Sequence, residues 1–156
     1  MRYDYVVPKL NDLLCFHCYI GNWKELSPEY ILGLKRDLDK EMHVYKPLFN
    51  EDLWKKYHKF MHICFKTFSG WGNDAKICSS IKRRKEIKKS WSVKYKVLFS
   101  EEFIEKTENE EKYEEQQNEI KKQVYFDLLE EFKNSLEIFQ YDSIQKIKTP
   151  ININPD

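Results

Sequence analysis

Residues 50–68, NEDLWKKYHKFMHICFKTF, decide the fold. Leu53, Tyr57, Phe60, Met61, Cys64, Phe65 and Phe68 recur at three- and four-residue spacing. At about 100° per residue they share one wide sector, with Lys55, Lys56, Lys59 and Lys66 on the other side. One face of such a helix is buried and the other solvated. Asn50 stands where an N-cap is needed, and Glu51 and Asp52 complement the positive end of the helix dipole. The pattern predicts a helix that stops at Ser69-Gly70-Trp71-Gly72-Asn73, where glycine permits angles other residues avoid and Asn73 is placed to cap a further helix.

Towards the N-terminus, Ser27 is a suitable N-cap, Pro28 fits the first helical position, and Leu26 and Ile31 are spaced as a hydrophobic staple. Ile31, Leu34, Leu38 and Tyr45 trace the buried stripe of that helix, which Pro47 closes. A shorter helix is expected from Pro8 to about Ile20 through Leu10, Leu13, Leu14, His17 and Cys18, stopped by the Gly21-Asn22 turn.

Towards the C-terminus, a fourth helix is expected from about Asp74, with Ile77, Ile81, Ile87, Trp91, Tyr95, Leu98 and Phe99. Trp91, Val93, Tyr95, Val97 and Phe99 also alternate as a strand does, and Tyr3, Tyr5 and Val7 offer a partner, so a short β-hairpin near 3–7 and 91–99 competes with the helix. A lone hairpin on a bundle needs its own covered face, which favours the helix. Residues 101–115 carry eight Glu and few apolar anchors, a composition expected to be mobile or only weakly helical. Ile120, Val124, Leu128, Phe132, Leu136 and Phe139, widened by Tyr125 and Leu129, mark a last helix, and 148–156 form an expected disordered tail. No internal repeat is visible. The reading is an all-α, single-domain bundle of four or five helices over residues 1–147, with the second, third and last helices supplying most of the core.

Composition agrees. Only four Gly and five Pro occur in 156 residues, which favours helices over turn-rich sheets. Aromatics at 15% and charged residues at 34% pair large core side chains with a solvated surface. No apolar run approaches the roughly 18 residues a membrane span needs, and the N-terminal stretch lacks the order of a signal peptide. Cys15, Cys18, Cys64 and Cys78 are too scattered for a disulfide framework. A cytoplasmic protein with reduced thiols is expected.

Charge is the most informative functional signal. Residues 1–100 hold 20 Lys and Arg against 11 Asp and Glu, whereas residues 101–156 hold 7 against 15. The basic portion concentrates at 76–96, where Lys82, Arg83, Arg84, Lys85, Lys88 and Lys89 interleave with Trp91 and Tyr95. That row suits a nucleic acid or another polyanion, its cations neutralising phosphates and its rings stacking on bases. It equally suits a solvated face or one covered by the acidic segment, which would compete with polyanions at high effective concentration.

Metal chemistry is weakly signalled. Cys15-x2-Cys18 and His58-x3-His62 have zinc-ligand spacing, but the 39 residues between Cys18 and His58 exceed finger spacing, and the histidines fall on the rim and solvent side of their helix. No metal and no cofactor is expected. A nucleophile elbow, a phosphate-cradling glycine loop, HExxH and a calcium loop are all missing, and carboxylate pairs such as Asp37 and Glu41 are common in Glu-rich helices. An enzyme remains the second alternative, with a site not visible in sequence. Trp71, between two glycines, either plugs the end of the bundle or anchors a partner, and Trp23 admits the same two readings. The expected function is a protein-binding or assembly module, with nucleic-acid binding as the alternative and no membrane contact.

Overall fold

The structure, a computed structural model, describes residues 3–66, 68–77 and 110–148. It is all-α. The helices are α1 (Tyr3–Cys18), α2 (Pro28–Tyr45), α3 (Glu51–Phe65) and α4 (Glu110–Lys148), and the two-residue strands β1 (Phe68–Ser69) and β2 (Lys76–Ile77) form a small ladder after α3. Short 3-10 turns, Trp23–Glu25 and Lys46–Leu48, link the first three helices.

The sequence signals for α2 and α3 translate directly into capping bonds. Ser27 Oγ accepts the Tyr30 amide at 3.1 Å and Asn50 Oδ1 accepts the Leu53 amide at 2.7 Å. Each satisfies an N-terminal amide that has no partner within its helix.

Helix α1 begins earlier than the sequence suggests, at Tyr3, with Pro8 inside it. The alternative of a hairpin near 3–7 and 91–99 is therefore not seen: residues 3–7 are helical, and 91–99 lie outside the described residues. Val6 explains the outcome. It is fully buried with Leu10, Leu13 and Leu14, extending their stripe by one turn, and this outweighs the alternation of Tyr3, Tyr5 and Val7. Pro8 removes the amide that would bond the Asp4 carbonyl, a loss that solvent offsets at the exposed Asp4. The helix ends at Tyr19 rather than Gly21: Tyr19 has φ 62°, and the Ile20 amide donates to the Cys15 carbonyl at 2.9 Å. That is the usual glycine closure made by a tyrosine, whose ring packs 5.1 Å from buried Trp23.

Residues beyond α3 also depart from expectation. The helix stops at Phe65, so Phe68 is a strand residue, and Asp74 to Ile77 form a turn and β2 instead of opening a helix. Gly70 has φ 73° and a Cβ there would lie 2.6 Å from the Asp74 carbonyl oxygen. Asp74 Oδ1 accepts the Gly72 amide at 3.0 Å, folding the loop so that Phe68 faces Ile77 and Ser69 faces Lys76 in antiparallel register. The rest of the expected fourth helix, 78–109, lies outside the described residues, as does the tail after Lys148.

Helix α4 begins at Glu110, within the acidic stretch, whose residues 101–109 lie outside the described residues. Its buried face is rotated from the predicted stripe. Lys121, Val124, Tyr125, Leu128 and Phe132 turn inward, while Ile120 and Leu136 are exposed. The cause is that α4 packs against both α1 and α3, so its inward face must span two neighbours. Lys121 lays its aliphatic stem in that seam, with Nζ 3.5 Å from Asn118 Oδ1.

The core is shared more widely than expected, because α1 contributes Val6, Leu10, Leu13, Leu14 and Phe16 alongside the other helices. Full burial of Leu10, Leu38, Leu53 or Leu128 contributes about 1.5–3 kcal/mol each. Helices α1 and α3 pack on α4, and α2 packs chiefly on α1. Among the described residues no helix is long and apolar enough to cross a membrane.

Candidate functional site

Since α2 leans on α1 while α3 leans on α4, α2 and α3 diverge above the core and leave a cleft of about 600 Å³. Lys35, Asp39 and His43 follow one another at four-residue steps along α2, with Lys40 and Val44 one row away. Trp54, Tyr57, His58 and Met61 face them from α3. The volume falls within the range of ordinary ligand sites.

Asp39 ties the floor. Its Oδ1 accepts the Tyr57 hydroxyl at 2.7 Å, and its Oδ2 accepts the Lys35 ammonium. Burial pushes the Tyr57 phenol well above its ordinary range, and the bond to Asp39 reinforces this, so Tyr57 stays a neutral donor. The carboxylate is thus engaged by α2 and α3 together, leaving the walls to set the chemistry of the opening.

Those walls are aromatic and cationic. Trp54 meets His58 edge to face at 4.5 Å, lies 6.1 Å from the Tyr57 ring, and carries Lys46 Nζ 5.0 Å from its centroid. Lys40 and His43 stand on the α2 side. Val44, in the lining, is 68% exposed, an aliphatic side chain left open to solvent beside an apolar cleft.

The weak zinc candidates are not brought together. Cys15 and Cys18 lie on α1, where Cys18 Sγ is 3.9 Å from the Asn118 carbonyl of α4, whereas His58 lines the cleft and His62 is exposed on α3. Among the described residues no group of three or more His, Cys, Asp or Glu is arranged to hold a metal. Burial raises the Cys15 thiol, helped by Asp12, and raises that of Cys64 further, with Lys121 opposing. Both shifts favour the neutral thiol over the nucleophilic thiolate.

The basic row Lys82, Arg83, Arg84, Lys85, Lys88 and Lys89, with Trp91 and Tyr95, lies outside the described residues. Trp71 is 60% exposed, and the Arg36 guanidinium donates to its carbonyl. Trp23, by contrast, is buried in the core. Sequence reasoning missed Lys40, His43, Val44 and Trp54. The available signal was the pair Trp54 and His58, four residues apart and off the main stripe of α3.

Compared with protein-family models, with curated proteins and with solved structures, the chain matches none of them.

Proposed function

We propose that the chain is a cytoplasmic protein-binding or assembly module whose partner seats in the cleft between α2 and α3. The observation that carries this reading is the cleft itself: an apolar trough of about 600 Å³ between two helices, with the exposed Val44 in its lining. Clefts between helices that carry solvent-exposed aliphatic side chains are suited to receive side chains of a partner. The free thiols of Cys15, Cys18 and Cys64 accord with a reducing compartment.

Capture from native lysate, read by mass spectrometry, tests it. The intact chain should retain a defined set of proteins that Val44→Glu loses, while Ile120→Glu, on the outer face of α4, retains them. Equal capture by all three refutes the assignment of the cleft.

A further inference from the structure

Resting on that reading, we infer that the occupant of the α2–α3 cleft is an acidic amphipathic helical segment of a partner protein. Three features lead to this class.

The walls of the trough are two helices, and the α2 wall runs from Lys35 to Val44, about 13 Å or two and a half turns. A third helix laid between them can present apolar residues at three- and four-residue spacing to Val44, Trp54 and Met61. Met61 is a flexible side chain suited to adjust to such an insertion.

Charge sets the sign of the partner. Lys40 lines the opening and Lys46 lies over Trp54, and Asp39, the only carboxylate lining the cleft among the described residues, is already bonded to Tyr57 and Lys35. A segment whose polar face carries carboxylates meets the ammonium groups of Lys40 and Lys46 and the hydrogen-bonding imidazoles of His43 and His58.

The aromatic arrangement disfavours nucleobases. Base stacking needs an open ring face, but Trp54 is crowded by His58, Tyr57 and the Lys46 ammonium. What the trough offers is room for aliphatic side chains beside the rings.

The test is an NMR titration of the full chain, following the Trp54 indole N–H signal, identified by its loss in Trp54→Phe. Three helical peptides of about fourteen residues share the same apolar positions and carry acidic, neutral or basic polar faces. The acidic peptide should shift the signal and bind about tenfold tighter than the neutral one at low salt, an advantage that shrinks at high salt. Lys40→Glu combined with His58→Glu, with unchanged circular dichroism, should transfer the preference to the basic peptide. Equal binding of all three peptides overturns the acidic assignment while leaving the cleft as a protein site. Failure of every peptide to move the signal overturns the cleft reading as well. A larger response to single-stranded oligonucleotide, or concentration-dependent broadening without peptide, overturns the proposal in favour of nucleic acid or a second copy.

Discussion

Tyr57 on α3 donates its phenolic hydrogen to Asp39 on α2 across 2.7 Å, and this bond joins the two walls of the cleft at their base. Tyr57 is fully buried, so its hydroxyl has no recourse to water if the carboxylate is lost. Asp39→Ala should cost about 1–3 kcal/mol, whereas Tyr57→Phe, which leaves Asp39 its bond from Lys35, should cost about 0.5–1.5 kcal/mol. Urea denaturation of both variants and the double variant measures the coupling. Additive losses contradict the role of the bond.

A pH dependence follows from Glu131. Its carboxylate accepts Lys56 at 2.8 Å and Asn50 at 3.1 Å, tying α4 to the N-terminus of α3. The Lys56 bond, then that of Asn50, holds the Glu131 carboxyl below its usual range. The unfolded value is about 4.3, so the contribution is complete above that pH and is lost as pH falls through the depressed folded value. Glu131→Gln should lower the Tm at neutral pH and converge on the parent chain in acid. Parallel Tm curves from neutral pH into acid contradict this.

Core truncations should separate sharply from surface ones. Phe60 lies 5.7 Å from Tyr125 and Phe132 lies 5.8 Å from Tyr3, both rings being buried between helices. Phe60→Ala or Phe132→Ala should cost about 3–5 kcal/mol. Phe126→Ala, at an exposed position on α4, should stay within about 0.5 kcal/mol. Chemical denaturation distinguishes the two groups.

What the sequence disclosed, and what it hid, has a physical pattern. Caps and periodicity are local, and Ser27, Asn50 and the stripe of α3 behave as their spacing implies. The start of α1 was hidden because burial of Val6 is a tertiary event that competes with a local proline signal. Likewise Ile120 and Lys121 are adjacent in sequence, and only the position of α1 and α3 decides which one turns inward. The cleft was illegible for the same reason: Lys40, Val44 and Trp54 acquire meaning from the divergence of α2 and α3, which no single-helix pattern encodes.

Thiol labelling should follow burial. Cys64 is fully buried with its thiol pushed up, and Cys15 and Cys18 are partly exposed. An aromatic disulfide reagent should modify Cys15 and Cys18 in the native chain and reach Cys64 only on unfolding, as peptide mapping would show. Rapid native labelling of Cys64 contradicts its placement between α1, α3 and α4.

The basic row offers an independent check on partner class. Intact chain should bind RNA or DNA weakly even at about 50 mM salt, where phosphate contacts are strongest. If the acidic segment covers the row, deletion of 101–115 exposes salt-sensitive polyanion binding whose salt dependence Lys85→Ala or Lys88→Ala flattens by about one unit each; if the row is a plain solvated face or a protein contact, neither the intact chain nor the deletion binds. Fluorescence anisotropy across salt concentrations reads both effects. Tight, salt-sensitive binding by the intact chain contradicts the preference for a protein partner.

The cleft itself is tested most directly by site-specific photo-cross-linking in cells, with benzoylphenylalanine placed at Val44 on the cleft or at Phe126 on the outer face of α4, both exposed positions. Residue 44 is predicted to yield a discrete cross-linked partner that Lys40→Glu diminishes, and residue 126 is not. Cross-links to the same partner from residue 126, with none from residue 44, contradict the assignment of the α2–α3 cleft as the binding surface.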